Sequence, residues 1–100
     1  MKIRYLPGAL QDFDEAIAYY QERSPRAAQN LMQAIRTGER LIRDFPELAP
    51  SLGRRLRVLP VSRFPYSLVY FLGGNEIVMV AVAHQSRRPG YWKGRLGENY

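Results

Sequence analysis

Between Tyr66 and His84 the chain alternates with a period of two. Tyr66, Leu68, Tyr70 and Leu72 interleave with Ser67, Val69 and Phe71, and Ile77, Met79, Ala81 and Ala83 interleave with Val78, Val80, Val82 and His84. That period, in β-branched and aromatic residues, predicts two strands. Gly73, Gly74 and Asn75 tolerate the positive φ of a tight connection, so the strands are expected to form a hairpin. Both sets of positions are apolar, which predicts a central pair with helices on one face and other chain on the second.

Upstream the period changes. Residues 2–6, KIRYL, read as a short strand, broken by Pro7 and Gly8, with Pro7 suited to open a helix. From Ala9 to Arg23, Leu10, Phe13, Ile17 and Tyr20 form an apolar stripe, while Asp12, Glu15 and Glu22 lie off it. Asp12, Asp14 and Glu15 are read as early acids that complement the helix dipole. Ser24 before Pro25 caps a second helix through Ala28, Leu31, Met32, Ile35, Leu41, Ile42 and Phe45, which Pro46 ends. So short a link makes the helices an antiparallel hairpin. Gly38, inside the second helix, is explained by close approach of the first helix or by a tolerated kink. After the loop 46–53, a strand over residues 54–63 puts Arg55 and Arg57 on one face with Leu59 and Val61, and Leu56 and Val58 on the other. Pro60, without an N–H, predicts an edge or bulged position, and Arg63, Phe64 and Pro65 turn the chain into the hairpin. The predicted fold is a single α+β domain over residues 1–100: an N-terminal strand, an antiparallel helical hairpin, then three antiparallel strands in a small sheet covered on one face by the helices.

Charge changes this picture by its placement. The net charge is +6. Residues 1–53 carry seven Lys or Arg against seven acids, whereas residues 54–95 carry eight cations, Arg54 among them, against Glu76 alone. The second sheet face is therefore expected to be charged and open, and to meet an acidic or polyanionic partner. No apolar run is long enough for a membrane span, the N-terminus lacks the apolar core of a secretory signal, and cysteine is absent; these features predict a cytoplasmic protein.

With this order on the page, the chain resembles the RelE/ParE superfamily of toxins from type II toxin–antitoxin modules. The resemblance rests on Tyr19-Tyr20 through Ser24, Ala27 and Leu31; on R-x-L…F-P-Y-x-L-x-Y at Arg57, Leu59 and Phe64 to Tyr70; and on V-x-H-x-x-R-x-P-x-x-W from Val82 to Trp92, with Arg95 beyond. RelE-like members cleave messenger RNA on the ribosome, whereas ParE-like members poison DNA gyrase by binding. Where ribonuclease members commonly carry a basic residue after the strand tyrosine, this chain has Ser67, and it has Arg54, Arg55 and Arg57 where lysines are typical. Arginine binds anions but is a poor proton donor or acceptor. These departures favour the ParE-like branch, which implies a cognate DNA-binding antitoxin of ParD type, a hetero-oligomer with it, and no enzymatic activity.

Candidate target-binding residues are Arg55, Arg57, Arg63, Arg87, Arg88, Tyr91, Trp92, Lys93 and Arg95, since cations interleaved with rings can neutralise anions and stack. Trp92 taken alone reads first as a packing residue. In the alternative, a ribosome-dependent endoribonuclease, the catalytic set would be His84, Arg87, Arg88 and Tyr91, because His84 is the sole histidine. Its simpler role is a strand-end residue bonded to backbone or water. A third alternative is a non-toxic basic module that binds nucleic acid. One His and no Cys cannot supply a zinc site, and no metal or cofactor is expected.

Overall fold

The structure, a computed structural model, describes residues 1–53 and 55–97; Arg54 and Glu98, counted in the charge above, lie outside them. Strand β1 (Lys2–Tyr5) leads into helix α1 (Pro7–Arg23) and helix α2 (Pro25–Asp44). Four further strands follow: β2 (Ser51–Leu52), β3 (Leu56–Pro60), β4 (Tyr66–Gly73) and β5 (Glu76–His84). The sheet order is β1-β5-β4-β3-β2, so the predicted hairpin does lie inside the sheet. β1 is parallel to β5 and the other pairings are antiparallel. The two-residue β2, too short to give a pattern, is an addition to the expected strands.

Local chemistry explains the boundaries. Pro7 opens α1 and Pro25 opens α2, where the missing N–H is not needed. Ser24 Oγ accepts from the Ala27 N–H at 3.2 Å, capping α2 at the point where α1 has just ended. β4 and β5 are joined by Gly74 and Asn75, with Gly74 at φ +66°; positive φ at the first central residue is the type II′ arrangement that suits strand twist.

The helices cover one sheet face. Leu31, Ile35 and Ile42 of α2 and Ala9 and Ala16 of α1 meet Leu68, Tyr70, Ile77, Met79 and Val82. Leu10, expected on the α1 stripe, is 52% exposed, because the buried line runs through the small residues Ala9 and Ala16 with Asp12 between them. Small side chains let the helix sit close to the strands. Gly38 follows the same logic, but the sheet imposes it and not α1: a Cβ there would lie 2.9 Å from Leu68 Cδ1.

The second sheet face is covered by other chain, as its apolar alternation predicted, and is not the open, charged face expected from the placement of the cations. It is apolar, built from Leu56, Val69, Phe71, Val78, Val80, Ala81 and Ala83, and Trp92 and Leu96 of the C-terminal segment pack on it. A bulge adds to the difference: Val69 pairs with Ala81 and Tyr70 with Met79, which leaves Val80 as an extra residue. Val80 and Ala81 consequently share the second face, and the alternation beyond them is inverted. Val82 joins the helix-side core, and His84 meets Tyr66 edge-on with ring centroids 5.0 Å apart.

Candidate functional site

The C-terminal segment after β5 carries most of the predicted site, and besides the packing of Trp92 and Leu96 it is fastened to α1 and β5 by polar contacts. β1 pairs with β5 only as far as Tyr5 opposite Met79, with Leu6 N–H donating to Met79 O. Beyond Met79 no strand among the described residues lies beside the outer edge of β5, and its backbone groups need other partners. Arg95 Nη1 donates to Val80 O at 3.0 Å, and Val82 N–H donates to Asp12 Oδ2 at 3.1 Å. The two side chains also bind each other, Nη1 to Oδ2 at 2.8 Å and Nη2 to Oδ1 at 3.1 Å, a bidentate pair. Tyr91 Oη adds a fourth donor to Asp12 at 2.9 Å. An ion pair thus substitutes for the strand that β1 does not continue.

This latch shapes its surroundings. A Cβ on Gly8 would lie 2.5 Å from Arg95 Nε, so the guanidinium crosses the start of α1 only because that position has no side chain. The first turn of α1 contains no acid, so the dipole reading of Asp12, Asp14 and Glu15 is corrected, and Asp12 is moreover buried, at 8% exposed. Burial first, then the hydrogen bond to Asp12, pushes the Tyr91 phenol up to about 12. The Asp12 carboxylate raises the Arg95 guanidinium above its ordinary value. Sequence reasoning missed Asp12; the available signal was an acid spaced between Ala9 and Ala16 on the small-residue line of α1.

The predicted residues separate into groups. Arg87 lies with its guanidinium 4.1 Å from the Tyr91 ring centroid, and Arg95 is 5.1 Å from the same ring, so these three come together. Trp92 is buried on the second sheet face and meets Tyr91 edge-on at 5.4 Å. Arg88 and Lys93 are exposed on the same segment. Arg57 is held elsewhere: its Nη1 donates to Glu47 O at 2.9 Å and Ala49 O at 2.8 Å, tying β3 to the loop after α2. Arg55 lies 5.8 Å from the Phe71 ring, so the two arginines expected to point together take different partners. Arg63 is exposed at the β3–β4 turn with φ +70°, a left-handed conformation unusual for a residue with a Cβ.

His84 closes the β5 end. Its Nδ1 accepts the Ser86 backbone N–H at 3.0 Å and lies 2.7 Å from Ser86 Oγ. A backbone amide can only donate, so Nδ1 carries no hydrogen and the ring hydrogen sits on Nε2. His84 and Arg87 line a cleft of about 390 Å³ together with Asp12, Glu15, Tyr19 and Tyr66. Chemically, this cleft offers aromatic rings, the Arg87 guanidinium stacked on Tyr91 and the Glu15 carboxylate, the Asp12 carboxylate being taken up by the latch. No helix among the described residues is long and apolar enough to cross a membrane.

A family profile described as the ParE toxin of type II toxin–antitoxin system, parDE, matches residues 3–89. A solved structure described as the chromosomal ParDE TA system from P. aeruginosa superposes with a TM-score of 0.72 at 22% identity, covering 84% of this chain and 95% of that one. No curated protein matches the chain significantly.

Proposed function

The chain belongs to the ParE toxin family of type II toxin–antitoxin systems, and from that premise we propose that it is a toxin that acts in the cytoplasm by binding DNA gyrase, without catalysing a reaction, and is neutralised by a cognate ParD-type antitoxin. The observation that carries the non-enzymatic reading is how the nuclease candidates are occupied. Nδ1 of the sole histidine is taken by the Ser86 amide. Tyr91 donates to Asp12, and a phenol pushed up to about 12 does not supply a base near neutrality. Arg87 and Arg88 remain, and guanidinium groups bind anions without exchanging protons. Such a set suits recognition better than attack on a phosphodiester.

Two assays test the reading side by side. The purified chain should inhibit gyrase supercoiling and leave labelled message intact in a translating extract. Cleaved message with unaffected supercoiling would instead establish the ribonuclease alternative. His84→Ala should retain growth arrest, since no proton passes through it; loss of arrest in a variant that still folds would overturn the binding mechanism.

A further inference from the structure

The charges of the first half of the chain cancel in sum, yet the two helices separate them. α1 brings Asp14, Glu15 and Glu22 to the surface, while α2 brings four exposed arginines, Arg26, Arg36, Arg40 and Arg43. The last three continue a line that begins at Gln29 and Gln33, spaced i, i+4, i+7, i+11 and i+14, which keeps to one face of a helix. At 1.5 Å per residue the line is about 21 Å long, and it contains no acid and no apolar residue. The acids near it do not neutralise it. Glu39 accepts from Tyr5 Oη at 2.6 Å, and Asp44, in the last turn, forms no ion pair. Among the described residues none of the four guanidinium groups bonds to another part of the chain, in contrast to Arg4, Arg57 and Arg95, which the fold claims for itself.

We propose that this face of α2 binds the phosphate backbone of duplex DNA. The assignment rests on the toxin reading above and deepens it: gyrase, the proposed target, works on duplex DNA, so a protein bound to it meets DNA as well as protein. Guanidinium and side-chain amide groups donate to phosphate oxygens and fix a protein on the duplex without reading its bases. Other occupants fit less well. Single-stranded nucleic acid is held by stacking, and α2 contains no aromatic residue. An acidic peptide needs an apolar or aromatic anchor, whereas Leu41, at the flank of the line, is the one exposed large apolar residue of α2. Duplex RNA has a deep, narrow major groove closed to side chains, while the major groove of B-DNA, about 12 Å wide, exposes its phosphates to a helix about 10–12 Å across.

The test titrates the full chain into a fluorescein-labelled DNA duplex of mixed sequence, about 20 base pairs long, and reads anisotropy. Binding should saturate at about 50 mM salt and weaken steeply toward about 200 mM. Arg36→Gln with Arg40→Gln should weaken binding by about tenfold and flatten the log–log salt slope by about 2, one for each lost phosphate contact. Its melting temperature should stay as in wild type, since neither side chain has a partner within the chain. Lys2→Gln with Arg63→Gln, two exposed cations outside α2, removes the same amount of charge and should keep the wild-type slope. Absence of saturable binding at low salt, equal losses in the two double variants, a wild-type slope in Arg36→Gln with Arg40→Gln, or equal displacement of the duplex by polyglutamate or duplex RNA at matched charge would each overturn the proposal. Gyrase supercoiling, measured on the same preparations, keeps the two readings apart: inhibition by a chain that binds no duplex removes the α2 assignment alone, while duplex binding without inhibition removes the toxin reading and leaves the α2 face.

Discussion

Asp12 accepts four hydrogen bonds, from Val82 N–H, Tyr91 Oη and two Arg95 nitrogens, while it is almost fully buried. Removing one member of such a pair leaves the other charge without compensation, and the harm exceeds the loss of any single contact. Asp12→Asn should therefore lower stability by about 2–4 kcal/mol, read as the urea midpoint of unfolding. Arg95→Gln should have a smaller effect because its side chain is 23% exposed, and the double variant should be less destabilised than the sum of the two, with coupling of about 1–2 kcal/mol. Additive effects would mean that the pair does not act as a unit. Tyr91 gives a pH test of the same cluster. Its phenol is raised from 10.0 to about 12 in the folded chain, so the proton is held more tightly folded than unfolded. Its stabilising contribution is complete below pH 10 and is lost as pH rises through about 12. Because other tyrosines titrate too, the measurement is the difference between wild type and Tyr91→Phe, whose stability should fall less over that window.

Gly38 and the β5 bulge determine how the elements meet. In an exposed helix, Gly→Ala gains about 1 kcal/mol in propensity, yet at Gly38 the new methyl would press on the fully buried Leu68, and overpacking costs about 1–3 kcal/mol. Gly38→Ala should thus destabilise the chain on balance, and in a Leu68→Ala background the sign should reverse, as thermal unfolding would show. The helix starts at Pro7 and Pro25, the Ser24 cap and the Gly74 turn were legible in the sequence because each depends on residues within a turn of one another. The inverted alternation after Val80 was not, because a bulge inserts a residue without any special residue type to mark it. Asp12 was illegible for a related reason. Its partners Val82, Tyr91 and Arg95 lie 70 or more positions away, and only the gap left by the short β1 creates the need they fill. The charge count marked the second half of the chain as cationic, but not which of those cations the fold would claim for itself.

Across the whole molecule, that division of the cations yields the last prediction. Arg4 is paired with Glu76 at 3.0 Å, Arg57 is bound to loop carbonyls, and Arg95 is bound to Asp12. Arg87, Arg88 and Lys93 are exposed on the segment that the latch holds in place. Formal charge treats both groups alike, although their roles differ physically. Exposed cations create the field that steers an acidic partner, an effect on association rate that salt screens, and their replacement changes stability by no more than about 0.5 kcal/mol. Arg88→Glu with Lys93→Glu should accordingly leave the melting temperature nearly unchanged while slowing association with the proposed ParD-type antitoxin, and added salt should bring wild type and variant together. Arg57→Ala should do the reverse, lowering the melting temperature by removing two hydrogen bonds from a charged donor, about 1.5–3 kcal/mol each, with little effect on the salt dependence. If the exposed pair proved necessary for folding, or if reversing its charge left the association rate unaltered, the steering role of the segment would be lost.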